Sequence, residues 1–104
     1  MASDLEFVTW VVDQCDEDLA VTFKRMFGEF GLYSRGTFIG VICDNRLFLK
    51  PTGGGRTFLG ERVDEAPAYP GAKPSFRIGD RIDDRAWLSE LVRITARELT
   101  DAAG

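Results

Sequence analysis

A chain of 104 residues, 44% apolar and 29% charged, is long enough for one globular domain and too short for two. Its formal net charge of −4 opposes the attraction that drives nonspecific nucleic-acid binding, and the absence of histidine removes the commonest general base. No apolar run approaches the ~20 residues of a membrane span, and Met1-Ala2-Ser3-Asp4 lacks the features of a secretory signal, so a cytoplasmic protein without membrane contact is expected.

Ser3-Asp4-Leu5-Glu6 has the form of a capping box, with the Ser3 hydroxyl accepting from the Glu6 amide, and it predicts a helix over residues 4–16. At ~100° per residue, Leu5, Phe7, Val8, Val11, Val12 and Cys15 share one stripe. Cys15 lies near the middle of that stripe and is expected to be buried, whereas Trp10 falls on the polar side. Asp16-Glu17-Asp18 ends the helix as a solvated turn; it lacks the spaced oxygen ligands that a hard cation needs.

Leu19 to Arg25 alternates enough to form a strand. In Met26-Phe27-Gly28-Glu29-Phe30-Gly31-Leu32-Tyr33, two glycines three apart stand between aromatics, where positive φ or close backbone approach is called for. Ser34-Arg35-Gly36-Thr37 and Cys43-Asp44-Asn45-Arg46 read as tight hairpin turns. Two-residue loops then set Tyr33 opposite Phe38, Gly31 opposite Gly40, Gly40 opposite Leu49 and Ile42 opposite Leu47, all on a face that helices cover. The other face carries Phe30, Leu32, Ile39, Val41 and Phe48, with Cys43, Arg46 and Lys50 toward its edges. A contiguous apolar surface of this kind marks an interface, and these five residues are the interface candidates.

Thr52-Gly53-Gly54-Gly55-Arg56 is expected to be the most flexible segment, feeding a short helix near residues 56–62; no lysine follows the glycines as a phosphate-binding loop requires. Residues 66–78 hold Pro67, Pro70 and Pro74 and are expected to form two short edge strands. Asp83 or Asp84 caps a last helix reaching about Asp101, with Trp87, Leu88, Leu91, Val92, Ile94, Thr95 and Leu99 in its apolar stripe. Glu98 projects inside that stripe and is expected to be exposed near a frayed end.

No nucleophile, base and oxyanion set can be assembled from these residues, so no enzyme activity and no cofactor are expected. The paired acids Glu61 with Asp64 and Asp83 with Asp84 fall at helix ends and loops, where capping and solvation are their ordinary roles. Two cysteines are too few for a structural zinc site, and a reducing cytosol disfavours a disulfide between them. Of the two redox candidates, Cys43 and Cys15, Cys43 is the more exposed in this reading, with Arg46 across the turn favouring its thiolate and Asp44 opposing it.

Met26-Phe27-Gly28 with Gly31-Leu32-Tyr33, then Asp44-Asn45-x-Leu47-x-Leu49-Lys50, Pro67-x-Tyr69 and Trp87, resemble the N-terminal domain of the TfoX/Sxy family of bacterial competence regulators. The resemblance runs from about Val21 to the last helix and departs where Gly79-Asp80-Arg81-Ile82 replaces the family's usual proline. It implies a stand-alone N-terminal domain over residues 1–104. The implied fold is two-layer α+β, an antiparallel sheet with helices on one face, similar to dimeric type III secretion chaperones. It also implies regulation through protein contacts and carries over no catalytic residues.

The function expected is thus that of a cytoplasmic, non-enzymatic regulator that works as a homodimer and through an unidentified protein partner. Two alternatives stand beside it: a thiol-switched regulator whose dimer is linked through Cys43, and an accessory factor in transcription regulation. Direct nucleic-acid binding is not expected; if it occurred, Lys24, Arg25, Arg35 and Lys50 would be the places to look.

Overall fold

The computed structural model describes residues 2–103. Six strands, β1 (Val21–Met26), β2 (Glu29–Ser34), β3 (Thr37–Cys43), β4 (Arg46–Leu49), β5 (Glu65–Pro67) and β6 (Pro74–Ile78), form one antiparallel sheet in the order β1-β2-β3-β4-β6-β5. Helices α1 (Leu5–Asp13), α2 (Gly53–Leu59) and α3 (Arg85–Ala103) complete an α+β fold. Val8 and Val11 of α1, Leu59 of α2, and Leu88, Leu91 and Val92 of α3 join one core with the sheet residues beneath them.

The first three strands are joined by turns with positive φ at both central residues: Phe27 and Gly28, Arg35 and Gly36, then Asp44 and Asn45 from β3 to β4. Two-residue turns of this hand match the twist of the strands they connect. The expected Tyr33–Phe38, Gly40–Leu49 and Ile42–Leu47 pairs are present. Gly31, however, faces Val41 rather than Gly40, because β3 gains one residue between the Tyr33–Phe38 and Leu32–Gly40 pairs. This β-bulge leaves Ile39 without a partner of its own on β2 and turns the remaining side chains of β2 and β3 over relative to the turn.

One inserted residue therefore redistributes the faces. Phe30, Leu32 and Ile39, expected on the outer face, lie in the helix-covered core at 1%, 2% and 0% exposure. Tyr33, Phe38 and Gly31 lie on the face without helices.

Tertiary partners override several local signals. The capping box does not form: Asp4 is the helix N-cap and makes no side-chain cap bond. Ser3 Oγ accepts instead from the Asn45 amide at 2.9 Å, and α1 ends at Asp13, short of residue 16. The 52–56 segment is not a flexible loop. Thr52 Oγ1 accepts from the Gly55 amide at 3.0 Å and starts α2 at Gly53. Glu98 is half-buried rather than exposed, because its carboxylate accepts from the Gly54 amide at 3.0 Å. A Cβ on Gly54 would stand 1.8 Å from that carboxylate and 2.8 Å from Ile94, so glycine is what lets α2 close against α3.

β6 is not an edge strand but lies between β4 and β5; Pro74 occupies its first position, where a missing N–H is harmless. Asp84, of the two candidate acids, caps α3 by accepting from the Trp87 amide at 3.1 Å. Asp16 and Asp18 are tied to α3 by Arg93, with Arg85 also on Asp16, so the acidic turn is pinned through ion pairs as well as solvated.

Candidate docking surface

The uncovered face of the sheet is built by alternate residues of β1 to β4. From the registers, Lys24 and Met26 of β1 sit beside Gly31 and Glu29 of β2, Tyr33 beside Phe38, and Val41 beside Phe48. Gly31 makes room here: a Cβ would meet Met26 Cε at 2.9 Å and Phe38 Cε1 at 3.2 Å. The Tyr33 and Phe38 rings are 5.4 Å apart.

The segment between β5 and β6 stands over one side of this face, and Tyr69, Pro70 and Lys73 form the far wall of a groove of about 870 Å³. Its floor includes Val41 and Phe48, and its near end carries Met26 and Phe27. Phe48 is 5% exposed at the bottom. Phe27 is the reverse: at the tip of the β1–β2 turn it is 98% exposed, with φ of 51°. A bulky side chain at positive φ costs backbone energy that Asn or Gly would avoid.

The face is rimmed by lysine. Lys24 Nζ lies 5.1 Å from the centroid of the Tyr33 ring and Lys50 Nζ 5.3 Å from that of Phe38. Such placement sets each ammonium over a ring face in a cation–π contact. Lys73 lines the opposite wall. No lysine has an ion-pair partner among the described residues, whereas Arg35, Arg56, Arg77, Arg81, Arg85 and Arg93 all do.

One end of the face is held by Glu29. Its two carboxylate oxygens accept from the amides of Ser3 at 2.8 Å and Asp44 at 2.9 Å. Partial burial pushes its pKa up, but the Asp44 and Ser3 amides outweigh that and hold it below the ordinary carboxylate value. The amide of Asp4 donates to the Asn45 side chain at 2.8 Å, so the N-terminal segment is laced to the β3–β4 turn.

The five interface candidates are thus divided. Val41 and Phe48 share the open groove, while Phe30, Leu32 and Ile39 lie in the core. Sequence reasoning left out Phe38 and Phe27, which line the groove, and Tyr33, which stands beside Phe38 on the same face; Tyr33 and Phe38 reach this face through the bulge, which no residue pattern announced.

Neither cysteine has an activated thiol. Burial pushes Cys15 up to about 11, and its Sγ sits 3.6 Å from the Val11 carbonyl. Cys43 is on the open face as expected, but only 7% exposed. Burial, then the charges of Glu29 and Asp44, push its thiol up, so the expected stabilisation of a thiolate by Arg46 does not prevail.

A second crevice, of about 440 Å³, opens between Trp87 and the ends of β4 and β6. Two of its arginines are engaged within the fold, Arg77 by Asp64 and Arg81 by Asp84, each at 2.8 Å. Among the described residues there is no cluster of three or more metal-ligating side chains and no helix long and apolar enough to cross a membrane.

The TfoX N-terminal domain model matches residues 13–99 of the chain. An uncharacterised 12.7 kDa protein in the trpE 5′ region of Spirochaeta aurantia is 40% identical over 99 residues, which cover 95% of this chain and 85% of that protein.

Proposed function

The chain belongs to the TfoX N-terminal domain family, and from that premise we propose that it is a cytoplasmic regulatory protein that acts by docking protein on the open face of its sheet and catalyses no reaction. Family membership suggests a regulatory or competence-related role in general terms. What supports the docking reading is one observation: helices cover a single face of the sheet, and the other presents Phe38, Val41, Phe48 and Phe27 along a groove, with Tyr33 beside it. An apolar surface of that continuity is more than a folded monomer needs.

The test is Val41→Glu, since Val41 is half-buried on the groove floor and belongs to no part of the helix-covered core. The variant is expected to keep the wild-type far-ultraviolet spectrum and urea midpoint within about 1 kcal/mol. It should also lose the protein that the wild-type chain retains from host extract, or lose a dimer seen by sedimentation velocity. The first loss identifies a different protein as the occupant; the second identifies another copy of the chain, the homodimer expected from the sequence. A folded variant with unchanged sedimentation and unchanged retention would defeat the proposal.

A further inference from the structure

We propose that the groove takes an acidic segment of another protein, one whose carboxylates flank an apolar anchor; this rests on the docking reading and names the partner's chemistry. In a chain of net charge −4, all three lysines stand on or beside this one face. Lys24 and Lys50 lie over Tyr33 and Phe38, and Lys73 faces them from the far wall. Six of the ten arginines are held in ion pairs within the fold, whereas none of these three ammonium groups is paired among the described residues. Cations arranged around an apolar floor are complementary to anions arranged around an apolar side chain.

Phe27 adds an independent observation. Its ring packs on nothing, since it is 98% exposed, and its backbone is held at φ of 51°. It contributes neither burial nor a relaxed turn to the monomer, so its use lies outside the monomer. Tyr69, 55% exposed, stands on the other wall of the same groove. Two aromatic side chains facing water on either side of an apolar floor can close on an anchor seated between them.

A second copy of the chain fits this face poorly. It would bring its own three lysines, and the carboxylates it offers there are Asp44 and a Glu29 whose oxygens are already occupied by amides. A single-stranded nucleic acid fits poorly as well. Stacking needs open ring faces, and the Tyr33 and Phe38 rings lie under lysine ammonium groups while Phe48 is recessed.

The experiment is selection from a random 12-residue phage-displayed library on the immobilised full chain, with Val41→Glu as the counter-target, followed by anisotropy titration of the enriched peptides. The expected result is a set of sequences with Asp or Glu on both sides of an aromatic or aliphatic residue. Their affinity should fall about tenfold in the triple variant Lys24→Gln, Lys50→Gln, Lys73→Gln and fall again with added salt, because three exposed ion pairs of modest strength together amount to about one decade. Enrichment of uncharged or basic sequences, or affinity unchanged in the triple variant, would overturn the acidic class while leaving docking intact. Tighter lysine-dependent binding of a 12-nucleotide oligo-dT, or a lysine-sensitive dimer in sedimentation, would replace the peptide by nucleic acid or by a second copy. No enrichment over Val41→Glu would overturn this inference; joined to unchanged retention and sedimentation in that variant, it would overturn the docking reading too.

Discussion

The two faces of the sheet are made from the same strands, yet one is almost wholly apolar and the other sets Val41, Phe48, Tyr33 and Phe38 among Lys24, Glu29, Arg46 and Arg77. Under the helices, Phe30, Leu32, Ile39, Ile42, Leu47 and Leu49 are 0–2% exposed within one apolar core, with the Arg25 guanidinium 4.9 Å from the Phe30 ring centroid. On the open side Tyr33, Phe38 and Val41 are half-buried with no second layer over them, and lysine ammonium groups stand over the Tyr33 and Phe38 rings. The difference shows how a one-layer sheet can keep an apolar face in water: long amphipathic side chains lie across it, and a partner can push them aside at little cost in burial.

The sharpest way to break this contrast is to truncate one aromatic on each face. Phe30→Ala should cost about 3–5 kcal/mol in urea denaturation, as a fully enclosed ring leaves a cavity. Phe38→Ala, across the sheet and half-covered, should cost on the order of 1 kcal/mol. Equal costs would mean that the open face is as well packed as the core and would remove the basis for docking.

Most of the elements were legible in the sequence, and the division of the faces was not. The stripes of α1 and α3 and the turns at Arg35-Gly36 and Asp44-Asn45 follow from spacing and turn chemistry. The bulge at Ile39 has no comparable signature, because an extra residue in an apolar run looks like any other apolar residue. Its effect is nevertheless large, since a shift of one position exchanges inside for outside. Ser3 and Glu98 were misplaced for a related reason: each side chain found a partner far along the chain, Asn45 and Gly54, that no local pattern contains. Val41 and Phe48 were placed on the correct face because they lie beyond the bulge, where expected and observed registers coincide again.

The bulge itself gives the next test, through two glycines that sit on either side of it. A Cβ on Gly40 would stand 2.2 Å from the Phe48 carbonyl oxygen and 3.0 Å from Leu49 Cα, both backbone atoms that cannot step aside. Gly40→Ala should therefore destabilise by on the order of 2–3 kcal/mol. Gly31→Ala meets the mobile end of Met26 instead and should stay within ~1 kcal/mol. Thermal or urea unfolding of the two variants side by side checks this; a reversed order would deny the close approach of β3 and β4 at the bulge.

A smaller effect is expected where the open face is anchored at Glu29. Replacing one oxygen by NH₂ in Glu29→Gln leaves the Ser3 or the Asp44 amide without an acceptor, at a cost of about 1–2 kcal/mol at neutral pH. Because the carboxyl is held below its ordinary value in the folded chain, its contribution is present above the ordinary carboxylate range and is lost as pH falls from there through the lowered value of the folded chain. The stability gap between wild type and variant should thus narrow on acidification, measured as urea midpoints from neutral pH to about pH 3. A gap that is constant with pH would show that the charge on Glu29 is not what holds the turn.

The slightest effect separates the faces by thiol chemistry. Cys15 is enclosed by the core and pushed up to about 11, while Cys43, also raised, lies against the groove. Both should alkylate slowly with iodoacetamide near neutral pH, because the thiolate fraction of each is small. Cys43 should nonetheless react severalfold faster, since its face opens without disturbing the helices. Raising the pH should accelerate both, as each thiol gives up its proton. A bound groove peptide should protect Cys43 and leave Cys15 unchanged, a footprint that a core thiol cannot give. Fast modification of Cys43 at neutral pH, or a reductant-sensitive dimer that survives in Cys15→Ser and disappears in Cys43→Ser, would instead make the open face a redox-linked contact. Protection of Cys15 by the same peptide would mean that docking reaches through the sheet, and the two faces would no longer be independent.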